Sequence, residues 1–223
     1  RHTGRTGALP TVGCGWYRLP FFVPADAEGK QLELVFDGIM WESEIYINGT
    51  KLHENRFGYA SFAVNITSCV QFGKQNLLAV KATVRPDCSR WYSGAGIFRN
   101  VRLITKSTDS LSYCGIRTWI RNVTPESATL TVNISTDGDP DTFEIELCSP
   151  EGSNILSGRG LIVARGGVYT AKVEAPVLWS VERPALYTLR VKTFRGGVRT
   201  DCDSVRIGFR DCRFDADRGF FLN

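Results

Sequence analysis

A chain of 223 residues with a net charge of +4, 27 basic against 23 acidic side chains, is long enough for two domains that each bury a core. Lys and Arg alternate with Asp and Glu instead of forming a stripe, which argues against nucleic acid as a partner. No apolar run approaches the roughly 20 residues of a membrane-spanning helix, so a membrane partner is not expected either. The seven cysteines are scattered, with no Cys-x-x-Cys pair or nearby histidine. That spacing argues against a metal cluster and leaves one thiol over from any complete disulfide framework. Most read as buried free thiols, with Cys69, Cys114, Cys148 and Cys202 in or beside apolar runs. The polar start, residues 1–7, lacks the apolar segment of a secretory signal.

In chain order, period-two alternation predicts strands throughout. Leu32, Leu34 and Phe36 alternate with Gln31, Glu33 and Val35, and Ile45 and Ile47 with Glu44 and Tyr46. Asn48-Gly49 then supplies a tight hairpin turn, because both residues tolerate positive φ. Strands are expected at 62–66, 77–84 and 97–104. The last follows a glycine-rich bend, Arg90-Trp91-Tyr92-Ser93-Gly94-Ala95-Gly96. Trp91 and Tyr92 offer flat apolar faces to the C–H surface of a sugar, Arg90 a planar fork of donors, and the glycines a tight turn. The bend therefore reads as a ligand-facing loop on a sheet; the alternative is that its aromatics plug the end of a sandwich core.

A polar connector, Lys106-Ser107-Thr108-Asp109-Ser110, separates this half from a second series of strands. Runs at 113–120, 129–134, 143–147, 169–173, 186–191 and 203–207, divided by Asp137-Gly138-Asp139-Pro140, Gly152-Ser153-Asn154 and Arg195-Gly196-Gly197 turns, have the spacing of a small β-sandwich. Residues 209–223 read as a mixed, charged tail ending in the apolar Phe220-Phe221-Leu222, a strand start without a packing partner, as if the chain were cut there.

Catalytic signatures are sparse. His2 and His53 stand in unrelated contexts and read as solvated side chains. Nucleophile elbows and phosphate loops are absent, and Glu33, Glu42, Glu44, Glu144 and Glu146 are expected on solvated outward strand faces. Four sequons, at Asn48, Asn65, Asn122 and Asn133, are accounted for by the abundance of threonine in strands.

The order of short motifs carries more. Gly15-Trp16-Tyr17-Arg18, Phe36-Asp37-Gly38, Ile47-Asn48-Gly49, Gly58-Tyr59-x-x-Phe62-x-x-Asn65-Ile66-Thr67 and Asn76-Leu77-Leu78-Ala79-Val80 resemble the N-terminal domain of glycoside hydrolase family 2. Ser89-Arg90-Trp91-Tyr92-Ser93-Gly94-Ala95-Gly96-Ile97-Phe98-Arg99-Asn100-Val101 is similar to that of its bacterial β-galactosidases in particular. Pro176 with Leu178-Trp179-Ser180, and Pro184-x-Leu186-Tyr187-x-Leu189, resemble the end of the family's second domain; Gly208-Phe209-Arg210 and Asp217-x-Gly219-Phe220-Phe221-Leu222-Asn223 resemble the passage into its third.

The resemblance implies an all-β chain: a jelly-roll β-sandwich of galactose-binding-like type over 1–106, an immunoglobulin-like β-sandwich over 107–207, and a linker, 208–223, into a catalytic TIM barrel absent from this chain. It implies a retaining glycosidase, whose two carboxyl groups stand about 5–5.5 Å apart across the glycosidic bond. Both would lie beyond residue 223, so no catalytic residue, no turnover and no cofactor are expected of this chain alone. Arg90, Trp91 and Tyr92 would contact the substrate, with Asp87 and Trp41 as lesser candidates at the rim. Some members hold a metal ion near this loop through an aspartate; the loop offers Arg90 instead, and no metal is expected. The implied partners are a β-galactoside-type carbohydrate, bound by the full enzyme, the chain's own C-terminal TIM barrel, and a further copy in a homo-oligomer. Galactoside, glucuronide and mannoside specificity stay open, since the selective residues lie mostly in the barrel. Two other roles also stay open: an autonomous carbohydrate-binding module, and purely structural or oligomerisation domains.

Overall fold

A computed structural model describes residues 13–84 and 94–223. The chain divides into two units, residues 1–106 and 107–223.

The first unit contains β1 (Gly13–Val23), β2 (Gln31–Phe36), β3 (Ile39–Met40), β4 (Glu42–Ile47), β5 (Thr50–Asn55), β6 (Phe62–Asn65), β7 (Lys74–Val84), β8 (Gly96–Ile97) and β9 (Val101–Lys106). They form a four-stranded sheet in the order β1-β7-β4-β5, a three-stranded sheet β6-β2-β9, and a two-stranded ribbon β3-β8. Leu32, Leu34 and Phe36 from one sheet and Ile45, Ile47, Leu78 and Val80 from the other fill the core between them. Stacking of Phe62 on Phe36 and on His53 places β6 across from β5, so the opposite edges, β1 and β9, face each other. Among the described residues that side of the sandwich is left uncovered. Tyr17 and Leu19 pair with the buried Val80 and Leu78, and Val101 and Leu103 with the buried Phe36 and Leu34, so all four point inward. They nevertheless remain between 38% and 58% exposed.

The second unit contains β10 (Ser110–Arg121), β11 (Ser127–Asp137), β12 (Thr142–Cys148), β13 (Asn154–Leu161), β14 (Gly166–Glu174), β15 (Tyr187–Arg195), β16 (Val198–Ile207), β17 (Cys212–Asp215) and β18 (Gly219–Leu222). Sheets β10-β11-β14 and β13-β12-β15-β16 enclose a core in which Leu130, Ile134, Phe143, Ile145, Leu147, Leu189 and Val191 are almost fully buried. Tyr187, at the start of β15, turns its hydroxyl back to accept a 2.8 Å hydrogen bond from the Val177 amide, and packs edge-on against the buried Phe209. This corner contact is characteristic of immunoglobulin-like sandwiches.

Several expectations are corrected. The strand expected at 97–104 is two, because Phe98-Arg99-Asn100 leaves the ladder to serve a neighbouring loop: Asn100 accepts from the Asp37 amide, and Arg99 donates to the Asp37 and Tyr59 carbonyls. The glycine-rich β13 pairs fully with β12. Its glycines are packing devices, since a Cβ at Gly158 would collide with the Tyr169 ring. The strand start at the end of the charged tail, expected to lack a partner, is β18, and it pairs with β17 in a hairpin. Cys14, Cys114, Cys202 and Cys212 are exposed and Cys69 and Cys148 half-buried, so none of these six thiols, the ones among the described residues, is fully buried. Cys14, Cys148 and Cys202 fall on outward strand positions, which adjacency to apolar residues conceals, while Cys69 ends a short 3-10 helix and packs against the edge of the first core. Glu33 is buried, not solvated, and pairs with Lys106 at 3.0 Å. His53 is half-buried against Phe62, where solvation was expected.

One carboxylate fastens the end of the second sandwich. Asp109 accepts from the Asp139 amide at 2.8 Å and from Arg195 Nη1 at 2.7 Å, tying the start of the unit to the β11–β12 turn and to β15. The Asp139 amide first, and Arg195 second, hold its carboxyl below the ordinary aspartate range. A depressed folded-state value gives stability that is complete above the unfolded value of about 3.9 and disappears as pH falls through the folded one. Asp109→Ala is therefore expected to cost about 2 kcal/mol at pH 7. In urea denaturation the gap between variant and parent should shrink at pH 2–3; a pH-independent gap would contradict this role.

Candidate functional site

The base of the loop singled out in the sequence is built by two ladders. β7 ends at Val84, just before residues 85–93, and β8 begins at Gly96, just after them. Glu42 pairs with Thr83 on the first side, and Met40 pairs with Gly96 on the second. Trp41, between Met40 and Glu42, thus sits between the two ends of the loop, half-buried, after a cis peptide bond. Asp87, Arg90, Trp91 and Tyr92 lie outside the described residues.

Beside this base is a cleft of about 230 Å³, lined by Gly13, Cys14, Gly15, Tyr17, Ala82, Val84, Ala95 and Gly96. Apart from Tyr17, its walls are made of small residues from β1, β7 and the start of β8, which leave room that larger side chains would fill. Gly96 has φ +80° and lies so close to the Tyr17 hydroxyl that a Cβ would collide with it. Sequence reasoning used Gly15 and Tyr17 only as motif positions; the signal for the cleft was the Gly13-Cys14-Gly15 triplet, recognisable only once β1 is known to be paired with β7.

The outer face of the same sheet is charged and internally satisfied. Glu44 accepts from Lys81 at 2.8 Å, lies 2.9 Å from Lys51, and accepts from the Tyr46 hydroxyl. These contacts, Lys81 first, lower its carboxyl to about 2. The bond to Glu44 in turn raises the Tyr46 phenol. A carboxylate so strongly held ionised does not donate a proton near neutrality. In the second unit Glu146 is lowered in the same way by Lys192 and Arg190. Where the surroundings move a described carboxyl clearly they move it down, as at Glu54, Asp141 and Asp215, the opposite of what a glycosidase acid requires. Among the described residues, no group of three or more His, Cys, Asp or Glu could hold a metal ion.

A third cluster stands at the segments that β8 and β9 share with the loop after β5. Tyr59 meets Phe57 and Phe98 edge-on, with centroids 6.0 and 6.1 Å apart, and the Arg99 guanidinium lies 4.9 Å from the Phe98 ring.

Comparison with known proteins decides the family. The model of glycosyl hydrolases family 2 matches residues 98–210, and the model of that family's sugar binding domain matches residues 6–107. The chain belongs to glycosyl hydrolases family 2. A beta-galactosidase of Bacteroides ovatus is 35% identical over 97% of the chain, and a beta-glucuronidase of Bacteroides fragilis 28% identical over 95%. A beta-glycosidase of Bacteroides vulgatus superimposes with a TM-score of 0.86 at 31% identity, covering 94% of this chain and 27% of that one. The chain spans 27% and 33% of the length of the two curated relatives and corresponds to the N-terminal part of such enzymes. Within family 2 its all-β build is the expected one, a sugar-binding-type sandwich followed by an immunoglobulin-like one. The described residues contain no α-helix, so no (β/α)₈ barrel is formed among them.

Proposed function

We propose that this chain is the non-catalytic N-terminal part of a retaining glycosidase that removes terminal β-linked sugars, β-galactosides in the first place. Its loop 87–94, with Arg90, Trp91, Tyr92 and Asp87, edges the active site of a barrel supplied elsewhere in the enzyme. Trp41 stands at the base of that edge. The observation that carries this reading is the double anchorage of the loop: Glu42 on Thr83 and Met40 on Gly96 hold its two ends on rigid ladders, with Trp41 between them. Loops that position substrate are effective when a scaffold fixes them this way.

The experiment joins the chain to the barrel of the complete enzyme. Arg90→Ala is expected to lower kcat/KM for an aryl β-galactoside roughly ten- to a hundredfold, as loss of a charged hydrogen bond to bound sugar would. Unchanged kcat/KM would remove Arg90 from the pocket. The chain by itself should release no aryl alcohol. An aryl β-glucuronide assayed alongside distinguishes the two activities borne by its relatives.

A second reading, a module that holds carbohydrate unaided, is favoured by one observation, the exposed aromatic cluster.

A further inference from the structure

We propose that Phe57, Tyr59, Phe98 and Arg99 form a carbohydrate-binding platform of the first unit, built wholly from described residues and suited to one or two sugar rings. Phe57 is 60% exposed, and Tyr59 and Phe98 are each 45% exposed. Three large aromatics are left in water although the same sandwich has a buried core, and adjacent exposed rings of this kind mark a contact surface. The backbone beneath them is tightly packed. A Cβ at Gly38 would come within 3.0 Å of both the Gly58 carbonyl and the Phe98 ring, and a Cβ at Gly58 would press on Met40. The Asn55 side chain donates to the Phe57 carbonyl at 2.8 Å, and the Ser61 hydroxyl to the Asp37 carbonyl at 3.3 Å. The rings are therefore carried on a fixed support, which limits the entropy lost on binding.

Arg99 supplies the polar half. Its Nη1 donates to the Asp37 and Tyr59 carbonyls, both at 3.3 Å, which orients the guanidinium beside Phe98. The side chain is exposed, and a guanidinium has five N–H donors in one plane, a match for a pair of sugar hydroxyls. The Tyr59 hydroxyl is a further donor and acceptor at the rim. Aromatic faces for the C–H side of a pyranose and planar donors for its hydroxyls are the two halves of sugar recognition.

Size and shape select the ligand. At about 200 Å² per aromatic side chain, the exposed fractions amount to about 300 Å². That is well below the roughly 800 Å² per partner of a standard protein interface. Successive rings are inclined by 64° and 72°, which makes a cupped surface and not the flat strip that a crystalline polysaccharide would need. The observations therefore favour a short soluble oligosaccharide over a protein partner. The family model matching residues 6–107 is that of a sugar binding domain, and all four residues lie inside that range.

The test is isothermal titration of the 223-residue chain with lactose, cellotetraose and β-mannobiose. Saturable binding of at least one probe is expected, at Kd values near millimolar. Tyr59→Ala and Phe57→Ala should each weaken it about tenfold or more, and Phe214→Ala, which truncates an exposed aromatic of the second unit, should leave it unchanged. Circular dichroism confirms that the variants are folded, and Arg99→Lys separates loss of the planar donors from loss of the loop anchor. No saturable binding of any probe, or binding indifferent to Phe57 and Tyr59, overturns the proposal. So does self-association of the chain that Phe98→Ala abolishes while sugars stay unbound. The heats are measured on this chain without a barrel, so their failure leaves the active-site reading of the loop standing, and failure of that reading leaves the platform standing.

Discussion

Replacing Phe143 by alanine is expected to destabilise the second unit by about 3–5 kcal/mol, the range for large aromatic truncations in a close-packed core. Phe143 is fully buried in β12, at the centre of the cluster that includes Leu130, Ile134 and Val191. Its ring occupies space that neighbouring strands leave by having no side chain there. A Cβ at Gly160 or at Gly167 would lie 2.6 or 2.7 Å from ring atoms. Truncation therefore leaves a cavity with backbone on two sides, which cannot collapse without bending β13 or β14. Against a typical total of about 5–15 kcal/mol, such a loss removes much of the margin. Hydrogen exchange of the β11, β12 and β15 amides measures it within this unit, and a loss below about 1 kcal/mol would show that the core repacks freely. The combination Phe143→Leu with Gly160→Ala should recover part of the loss, because the added methyl enters the vacated volume.

Gly96→Ala is expected to cost the first unit about 2–4 kcal/mol, combining a non-glycine residue in the left-handed region with overpacking. Gly96 has φ +80°, and its missing Cβ is where the Tyr17 hydroxyl sits. Because Gly96 is also the partner of Met40, the substitution loosens the ribbon that holds one end of the loop. Two contributions can be separated by adding Tyr17→Phe, which removes the colliding oxygen and leaves the backbone conformation. Thermal denaturation should then show partial recovery; none would mean the collision is relieved by rotation of Tyr17, and a Gly96→Ala effect under about 0.5 kcal/mol would contradict the packing altogether. In the complete enzyme the same variant should lower kcat/KM without touching a catalytic carboxylate, if the loop works as proposed.

How far the sequence could be read depended on what each segment packs against. Alternating strands such as β4 and β11 were legible because one face is buried and the other at least partly exposed, which writes a period of two into the residues. β13 was not, since its inward positions at Gly158 and Gly160 must be empty to admit Tyr169 and Phe143, and glycine reads as a turn. The buried Glu33 was misread for a similar reason: its partner Lys106 is 73 residues away and is brought alongside only by the pairing of β2 with β9. The division of 97–104 into β8 and β9 depended on Asp37 and Tyr59, which accept from Arg99 across loops that periodicity does not connect.

The aromatic platform followed the same rule. Tyr59, Phe98 and Arg99 stood in view as separate members of short motifs and Phe57 in none, but their adjacency across about 40 residues belongs to the fold. By itself the sequence determined the all-β class, the principal hairpins and the family, because these follow from local backbone preferences and from the order of motifs along one chain; the loop with Arg90, Trp91 and Tyr92 it singled out as a proposal. Tertiary structure decided which glycines are spaces for rings, which carboxylates are held ionised, and that Trp41 sits between the ends of that loop. Those facts arise from contacts between strands distant in sequence, where close packing and hydrogen-bond geometry, not periodicity, determine what each side chain meets.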